Sequence, residues 1–298
     1  MKERLLSGHL FAMICVLIWG TTFIVSKNLM KTLTPIQLMW MRFVIAYVAL
    51  WALYPHWYLH WKEEPWFFLI SLFGNTLYFL SENSALRLTQ AANVSILVAT
   101  APIITALILR FTRGEKLTPR QGIGFAVSFV GVVLVVLNGV FMLRLHPTGD
   151  LLALAAAASW AVYSILIRRS TEEYNSFLIT RKVMFYGILT STPLLLLNKA
   201  AINFSALLTF KNIMGLVYLG FIGSALCYVM WNNSIRQLGT LKASIYINAI
   251  PLVTLLAGSV VLNETVTNMG AIGIILVIGG LLLSNLNNNH LKEKPIKD

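Results

Sequence analysis

The segment Ser95–Thr105 reads SILVATAPIIT, and 149 positions later Ser244–Thr254 reads SIYINAIPLVT. The two segments carry a serine, a proline and a threonine at matching places, so that Pro102 pairs with Pro251. Offsets of 149 or 141 positions relate further pairs. These are Gly74 and Gly223, Asn83 and Asn232, Glu115 and Glu264, Thr118 and Thr267, Gly124 and Gly273, Gly131 and Gly280, Gly8 and Gly149, and Trp19 and Trp160. The repetition predicts a molecule built from two similar halves.

The composition predicts a membrane protein. Apolar residues make up 57% of the 298 residues and charged residues only 11%, against about 25% charged in soluble domains. A soluble chain of this length could not bury so much apolar surface. The net charge of +12 arises from Lys and Arg in short loops and at the two ends, where basic residues set membrane topology. We therefore predict no nucleic-acid partner, and no disulfide between Cys15 and Cys227, which lie in apolar segments.

Runs of about 20 apolar residues predict helices that span the membrane. Ten such runs cover residues 7–28, 34–54, 66–87, 91–111, 119–140, 148–169, 176–197, 211–235, 241–262 and 267–287. We therefore predict an all-α polytopic membrane protein with ten transmembrane helices in two five-helix repeats, residues 1–140 and 141–287, followed by a tail at 288–298. Because five is an odd number, the second repeat must insert in the opposite orientation, which makes the two repeats inverted.

The distribution of basic residues predicts the orientation of the chain. If the N-terminus is cytoplasmic, 14 Lys and Arg residues lie on the cytoplasmic side and 6 lie outside. An excess of basic residues in the cytoplasmic loops is usual for such proteins. No cleavage pattern follows the first apolar run, so we read it as a retained helix. We predict a multi-pass protein of the plasma (inner) membrane with both termini, including the tail, in the cytoplasm.

Several short motifs occur in order along the chain. They are Trp19–Phe23 (WGTTF), Arg42–Phe43, Ala101–Pro102, Gly114–Thr118 (GEKLT) and its second copy Asn263–Thr267 (NETVT). With the five-plus-five repeat, they make residues 5–287 resemble the EamA-type members of the drug/metabolite transporter superfamily. The resemblance implies one central cavity, lined mainly by the first, third, fourth, sixth, eighth and ninth helices. It also implies movement of small metabolites, often amino acids and commonly outward.

Glu82 is a carboxylate well inside an apolar segment. A charge near the bilayer centre costs about 2.5–3.5 kcal/mol even on insertion scales, so ionisable residues there usually face a cavity. We therefore predict that Glu82 either binds an amine of the substrate or carries a proton during transport. The alternative is a hydrated structural carboxylate that pairs with Arg87 or Arg42.

Aromatic and polar side chains at membrane depth form the rest of the predicted cavity. Trp19 and Trp160 lie at mid-helix rather than in the interfacial belt, where tryptophan is expected. The other candidates are Thr22, Tyr78, Asn83, Ser95, Tyr163, Tyr228, Trp231, Asn232, Ser244 and Asn248. For each of them, ordinary packing and hydrogen bonding between helices is the alternative.

Pro102 and Pro251 are the predicted hinges of two central helices. A proline inside a helix removes one backbone hydrogen bond, and the freed carbonyl needs a polar partner, which favours a polar cavity nearby. A static kink is the alternative. Arg42 and Arg181 lie one to two turns inside their helices. We predict that they attract an anionic group, pair at a gate, or act as anchors whose charged ends reach the membrane surface.

Two further features are predicted to be structural. Glu115 and Glu264 precede helices, and we expect each of them to cap the helix that follows. Glycine-rich runs in the fifth and tenth predicted helices have the small-residue spacing of closely packed membrane helices. These glycines are Gly122, Gly124, Gly131, Gly270, Gly273, Gly279 and Gly280.

The sequence favours a secondary or facilitative transporter that moves a small metabolite, such as an amino acid or a related compound, outward by alternating access. The alternatives are a proton-coupled exporter of amines or drugs, and a membrane scaffold or sensor without transport. The chain has no His-Glu-x-x-His or Gly-x-Ser-x-Gly motif, so we predict no enzyme activity, no catalytic residue, no metal and no cofactor. The predicted partners are a small-molecule substrate, the lipid bilayer and, as a candidate coupling ion, the proton, while the oligomeric state stays open.

Overall fold

The computed structural model describes residues 2–89, 91–114, 118–137, 146–198, 204–262 and 267–285, and within these ranges the chain is almost entirely helical. The helices up to residue 137 are α1 (Lys2–Leu29), α2 (Pro35–Leu53), α3 (Glu64–Ser71), α4 (Tyr78–Leu88), α5 (Ala91–Val98), α6 (Ala101–Arg113) and α7 (Pro119–Leu137). The later helices are α8 (Pro147–Glu173), α9 (Ser176–Leu197), α10 (Phe204–Leu207), α11 (Phe210–Val217), α12 (Cys227–Leu238), α13 (Thr240–Ser244), α14 (Ile250–Leu262) and α15 (Asn268–Asn285). The predicted caps Glu115 and Glu264 and the predicted tail lie outside the described residues.

Three connections between these helices are themselves helical but differently wound. A π-helix, Leu72–Leu77, joins α3 to α4, and a second π-helix, Tyr218–Leu226, joins α11 to α12. A 3₁₀-helix, Ile245–Ala249, joins α13 to α14. π-Helices are rare and commonly occur as single wide turns at functional sites, so these two turns single out the part of the molecule that they adjoin.

Five helical stretches are long and apolar enough to cross a membrane. They are Leu5–Leu29, Pro35–Leu53, Val94–Arg113, Pro147–Glu173 and Phe210–Leu238, and the shorter Pro119–Val135 and Asn268–Ser284 are apolar as well. Large apolar side chains on their outer faces, such as Leu6 and Leu17, are 71% and 59% exposed. An apolar surface of this kind suits contact with lipid. These helices agree with the predicted polytopic membrane protein, whereas the ten spans and the inverted repeat stay predictions.

The starts of the helices follow from local sequence. Thr34 caps α2: its hydroxyl accepts a hydrogen bond from the Gln37 backbone, and the Gln37 side chain accepts one from the Thr34 backbone. Pro35 occupies the first turn of α2, where the missing N–H of proline would have had no partner. Asn175 caps α9 in a similar way, through a 2.9 Å hydrogen bond from the backbone N–H of Phe177.

Both predicted hinge prolines lie just after an interruption. Pro102 lies in the first turn of α6, and Ala99 and Thr100 form a turn that separates α6 from α5. Pro251 is the second residue of α14 and follows the 3₁₀-helix. A proline cannot donate to the preceding turn, so the regular α-helix breaks there. The α-helices are interrupted next to both prolines, while a kink and a hinge motion at these places stay predictions.

Helices α7 and α15 pack with their backbones in near contact. A Cβ atom added to Gly124 would lie 2.8 Å from the Gly280 carbonyl oxygen, and one added to Gly131 would lie 2.7 Å from the Gly273 carbonyl oxygen. Glycine alone permits this distance. The predicted close packing is confirmed for Gly124, Gly131, Gly273 and Gly280, and it is wrong for Gly122 and Gly279, which face open space.

The remaining helices surround a common centre. Helix α1 packs on α12 and α14, α2 packs on α9, and α4 packs on α8. Elements from before residue 140 therefore contact elements from after it throughout the interior. One large cluster of buried apolar side chains connects them. This arrangement brings residues that are far apart in sequence into one wall around the centre.

Candidate functional site

A cavity lies at the centre, between α1, α2, α4, α5, α8, α12, the 3₁₀-helix and α14. Its lining residues are Trp19, Thr22, Phe23, Arg42, Tyr78, Phe79, Glu82, Val98, Trp160, Tyr228, Ile247 and Ile250. Six of the predicted cavity residues are among them, namely Trp19, Thr22, Tyr78, Glu82, Trp160 and Tyr228. Each helix that the family resemblance implied as part of the cavity wall contributes at least one lining residue. Helix α2 also contributes one, Arg42.

The cavity is small in this conformation. Its volume, counted as the space open to the centres of water molecules, is about 30 Å³. One water needs roughly 10–15 Å³ on this measure, so about two waters fit. A metabolite would therefore have to widen the cavity in order to bind there.

Aromatic rings form most of the cavity wall. The ring centroids of Trp19 and Trp160 lie 5.2 Å apart, with the planes nearly perpendicular at 88°. Tyr78 and Tyr228 lie 5.1 Å and 5.8 Å from Trp160 by the same measure. Edge-to-face contacts of this length are favourable between aromatic rings. The predicted repeat mates Trp19 and Trp160 thus meet each other at the centre of the wall.

Each of two aromatic side chains is fixed by a glycine carbonyl in a π-helix. The Trp19 indole N–H donates to the Gly223 carbonyl oxygen at 2.9 Å. The Tyr228 hydroxyl donates to the Gly74 carbonyl oxygen at 2.8 Å. A buried indole or phenol needs a polar partner, and the wide turns provide one. The two glycines are 149 positions apart, at a pairing that the sequence already showed.

The two charged residues of the wall are buried, and they form no direct ion pair with each other. The Glu82 carboxylate accepts a hydrogen bond from the Tyr78 hydroxyl at 2.7 Å. The Arg42 Nε donates to the Ser224 hydroxyl at 2.6 Å, and its guanidinium carbon lies 4.4 Å from the Phe79 ring centroid. Among the described residues Glu82 forms no ion pair. The pairing of Glu82 with Arg42 or Arg87, expected as the alternative, is therefore not observed.

Arg42 belongs to the cavity wall and not to the protein surface. Its exposed fraction is 3%, and it contacts Ser224 and Phe79 within the interior. An anchor that reaches the membrane surface would keep its guanidinium in contact with water or headgroups. The structure thus puts Arg42 next to the residues that were predicted to bind substrate.

Several other predicted cavity residues form hydrogen bonds between helices instead of lining the cavity. The Tyr163 hydroxyl donates to Asn232 at 2.8 Å, and the Asn232 amide donates to the Thr180 hydroxyl at 3.1 Å. Trp231 lies behind the wall, with its ring centroid 5.1 Å from that of Trp19. In the described part of the chain, the indole nitrogens of Trp160 and Trp231 have no hydrogen-bond partner.

The remaining polar candidates also have local roles in packing. Asn83 donates to the Pro35 carbonyl oxygen at 3.4 Å, and Asn248 donates to the Ser128 hydroxyl at 3.0 Å. Ser244 donates to the Leu241 carbonyl oxygen at 3.0 Å within its own segment. Ser95 is buried in α5, at 3% exposure. These four residues support the elements around the cavity without forming its wall.

Arg181 lies at the end of α2 rather than at the cavity. It donates hydrogen bonds to the backbone carbonyls of Tyr54, at 2.6 Å, and His56. Its guanidinium carbon lies 4.0 Å from the Trp51 ring centroid. These contacts fasten the chain that leaves α2 to α9, and Arg181, like Arg42, is only 3% exposed. A gating role for Arg181 stays a prediction.

Five apolar residues of the cavity wall, and Ser224 next to it, were not predicted as site residues from the sequence. Phe23, Phe79, Val98, Ile247 and Ile250 line the cavity, but they are apolar residues within apolar runs. Ser224 holds Arg42 from a position 182 residues away. Gly74 and Gly223, which the 149-residue offset pairs, each lie in one of the two π-helices, but this pairing does not by itself predict the change of winding. Among the described residues, no group of three or more His, Cys, Asp or Glu side chains could hold a metal ion.

A sequence model of the EamA-like transporter family matches residues 6–137 and 147–286. This chain belongs to the EamA-like transporter family. The helices, the central cavity and the motifs that resembled this family thus agree with direct comparison. The family and the names of the relatives indicate a membrane transporter rather than an enzyme.

Relatives of this EamA-like transporter carry transporter names. An "uncharacterized transporter" of Archaeoglobus fulgidus is 30% identical over 95% of this chain and 98% of its own length. A "probable amino-acid metabolite efflux pump" of Escherichia coli strain K12 is 26% identical over 92% of this chain and 93% of its own length. A solved crystal structure with 21% identity superposes with a TM-score of 0.79, covering 94% of this chain and 98% of that one. At this identity the superposition shows the same fold.

A second polar cluster of this EamA-like transporter joins α3 to α9. The Lys182 ammonium contacts one Glu64 carboxylate oxygen at 2.6 Å, and the Tyr186 hydroxyl donates to the other at 2.6 Å. The Lys182 and Glu64 side chains are only 12% and 10% exposed. Both oxygens of the Glu64 carboxylate thus have a partner in a poorly hydrated place. Loss of Lys182 would leave the charge of Glu64 buried without a counter-charge.

Replacing Lys182 by methionine is expected to reduce the free energy of unfolding by about 3 kcal/mol, because Glu64 would lose its counter-charge while staying buried. Thermal unfolding of the purified protein, followed by intrinsic fluorescence, measures the change. The matched control is Arg169→Met, which removes the partner of Glu173 at 3.6 Å where both side chains are about half exposed. That pair should contribute less than about 1 kcal/mol. Equal effects of the two variants would contradict the prediction.

Proposed function

We propose that this EamA-like transporter is a secondary or facilitative transporter that exports a small zwitterionic metabolite, an amino acid or a related compound, by alternating access. One observation carries the proposal. A single wall presents a carboxylate, Glu82, and a guanidinium, Arg42, that do not pair with each other, and aromatic rings surround both. An amino acid at neutral pH has the complementary ammonium and carboxylate.

The physical argument rests on the cost of burying charge. An isolated charge away from water is unfavourable unless a partner compensates it. Glu82 has one neutral hydrogen bond from Tyr78, and Arg42 has one from Ser224. A bound zwitterion would supply a counter-charge to each, so binding would relieve both costs at once. The indole N–H of Trp160, which has no partner among the described residues, would be a further donor to a substrate oxygen.

The proposed transport cycle needs the repeat. We propose ten spans in two inverted repeats, residues 1–140 and 141–287, in the plasma membrane with both termini and the 288–298 tail in the cytoplasm. The π-helices Leu72–Leu77 and Tyr218–Leu226 support the repeat, because the second overlaps the first when shifted by 149 positions. Inverted repeats present one central site to the two sides of a membrane in turn. The breaks before Pro102 and Pro251 would be the hinges that let the cavity open.

Export is the direction that the relatives favour. The Escherichia coli relative is named a probable amino-acid metabolite efflux pump, and its similarity extends over nearly the whole of both chains. We carry this direction and substrate class over as part of the proposal. The substrate would be small, because the cavity has a volume of only about 30 Å³ and a larger substrate would require more widening.

The proposal is tested by uptake into proteoliposomes that contain the purified full-length chain. The panel comprises amino acids, amines and sugars, each with and without a pH gradient. Saturable flux of amino acids supports the proposal, and dependence of that flux on the gradient makes the proton the coupling ion. No flux of any amino acid, with intact and folded protein, overturns it and favours the scaffold or sensor.

Glu82→Gln is expected to lower amino-acid flux at least tenfold, because the amide keeps the shape of the side chain but loses the charge that would bind the ammonium. If the proton is the coupling ion, the residual flux should also lose its response to the pH gradient. The matched control is Glu173→Gln, whose side chain is 46% exposed and should leave flux unchanged. Wild-type flux and pH response in Glu82→Gln would remove Glu82 from the mechanism.

A proton-coupled exporter of amines or drugs is the second candidate. The observation that favours it is the set of rings around Glu82, since tryptophan and tyrosine faces attract organic cations. In the same panel, saturable flux of amines without flux of amino acids would select this candidate. Arg42 distinguishes the amino-acid exporter from the amine exporter, because the guanidinium would bind the carboxylate of an amino acid, whereas a cationic amine has no carboxylate for it to bind.

A further inference from the structure

Ser224 has an unusual hydrogen-bonding position in the second π-helix. Its hydroxyl donates to the carbonyl oxygen of Leu219, five residues earlier, at 2.9 Å. In an α-helix a serine hydroxyl reaches the carbonyl three or four residues earlier, whereas five-residue spacing belongs to the π-helix. Ser224 is fully buried. The wide turn thus determines where the Ser224 oxygen lies.

The direction of these hydrogen bonds fixes what Ser224 offers to Arg42. A serine hydroxyl has one hydrogen to donate and two lone pairs to accept with. Since the hydrogen is directed to Leu219, the oxygen is left as an acceptor, and Arg42 Nε donates to it at 2.6 Å. Phe79 covers the guanidinium at 4.4 Å. Ser224 from the side and Phe79 from the face therefore restrict the rotation of the guanidinium plane.

This restriction leaves the forked end of Arg42 for another partner. The two Nη nitrogens have no hydrogen-bond partner within the described ranges, and Arg42 lines the cavity. A guanidinium held in a fixed plane can bind a carboxylate with two parallel hydrogen bonds, whereas a freely rotating one acts as a diffuse charge. The neighbouring residue of the π-helix, Gly223, fixes Trp19 in the same wall.

We propose that Ser224 is a positioning residue that makes the cavity selective for substrates with a carboxylate over analogues whose carboxylate is replaced by an uncharged amide. The inference rests on the proposed function, because it concerns the same cavity. Ser224 acts through Arg42 and does not itself touch the substrate. Loss of its hydroxyl frees the guanidinium to rotate, which weakens the two-bond contact with a carboxylate and leaves contacts with the rest of the substrate in place.

The test compares amino acids with their primary amides. The probes are L-leucine, L-threonine and L-phenylalanine, each paired with its amide, in proteoliposomes of the full-length chain. Ser224→Ala is expected to raise KM for the amino acids about tenfold, the effect of weakening one charge-assisted contact, and to change KM for the amides less than about twofold. Ser224→Thr keeps the hydroxyl and should restore the selectivity ratio. Equal changes for acids and amides in Ser224→Ala, or no change, would overturn the inference.

The control variant is Ser191→Ala. Ser191 is also a fully buried serine, but its hydroxyl donates to the carbonyl of Gly187 in its own helix, and it is not part of the cavity wall. The Ser191→Ala substitution removes the same hydroxyl oxygen as Ser224→Ala and likewise loses a buried hydrogen bond. Wild-type selectivity in Ser191→Ala supports the inference, and a selectivity change as large as that of Ser224→Ala overturns it.

A second measurement separates this inference from the proposed function. In protein labelled with ¹⁵N-arginine, the Arg42 Nε signal is assigned by its absence from Arg42→Lys. Ser224→Ala should accelerate hydrogen exchange at Arg42 Nε by at least about tenfold through loss of the hydrogen bond, and Ser191→Ala should not. If no probe is transported, the proposed function fails while this measurement still tests Ser224. Unchanged exchange in Ser224→Ala overturns the positioning role whatever the substrate.

Discussion

Replacing Gly280 by valine is expected to lower the melting temperature of the purified protein by roughly 6–12 °C, since overpacking costs up to about 3 kcal/mol and each kcal/mol shifts the melting temperature by about 2–4 °C in a chain of this size. A Cβ atom at Gly280 would lie 2.5 Å from the Ser128 backbone nitrogen and 2.6 Å from the Gly124 carbonyl oxygen. Backbone atoms cannot rotate away as a side chain can. Helices α7 and α15 would therefore have to separate.

The adjacent glycine provides the control for this prediction. A Cβ atom at Gly279 would meet nothing within 4 Å. Gly279→Val adds the same side chain to the same helix one residue earlier, so any effect of valine on helix propensity is common to both variants. The melting temperature of Gly279→Val should stay within about 2 °C of the wild-type value. Equal destabilisation by the two valines would contradict the close packing of α7 on α15.

Arg42→Ala is expected to lower the transport efficiency for amino acids at least about a hundredfold, because two charge-assisted hydrogen bonds contribute about 3 kcal/mol and every 1.4 kcal/mol is a factor of ten. The guanidinium is the cationic group of the cavity wall as the structure describes it. Without it, the carboxylate of a bound amino acid would have no counter-charge in a poorly hydrated space. Initial rates of uptake at low substrate concentration measure the loss.

Two further variants define what the loss means. Arg42→Lys keeps the charge but not the planar fork, so we expect a rate between those of the wild type and Arg42→Ala. Arg87→Ala removes the same charge from an exposed position in α4 and should leave uptake unchanged. A wild-type rate in Arg42→Ala would exclude Arg42 from substrate binding. If Arg87→Ala lowered uptake as much as Arg42→Ala does, the loss would be due to the net charge of the protein and not to substrate binding by Arg42.

The sequence located the polar part of the cavity because polar residues are conspicuous in apolar runs. Glu82 and Tyr78, which form a hydrogen bond in the structure, are predicted on this ground alone. Phe79 and Ile250 line the same cavity, but nothing distinguishes them from lipid-facing or core residues in the sequence. Composition therefore identifies the atoms that carry charge or hydrogen bonds, and only tertiary packing identifies the apolar side chains that enclose them.

Not every polar residue at membrane depth that the sequence predicts as a cavity residue lines the cavity. Asn83 and Asn248 have the same sequence signature as Glu82, yet they bind Pro35 and Ser128 in neighbouring helices. One hydrogen bond across a helix seam holds each of these amides, although the Oδ1 atoms of Asn83 and Asn248 have no hydrogen-bond partner among the described residues. The direction in which each side chain extends depends on helix rotation, and here π-helices and a 3₁₀-helix alter that rotation. No residue pattern in Leu72–Leu77 predicts the change of winding.

The two π-helices also bear on how the chain arose. A π-helix is the usual outcome when one extra residue enters an α-helix without unfolding its flanks. Leu72–Leu77 overlaps Tyr218–Leu226 after a shift of 149 positions, and each supplies a glycine carbonyl to an aromatic side chain of the other half. In the duplicated arrangement that we propose, the insertion therefore entered an ancestral half-length gene before that gene was doubled. Its descendants would have inherited one wide turn in each half.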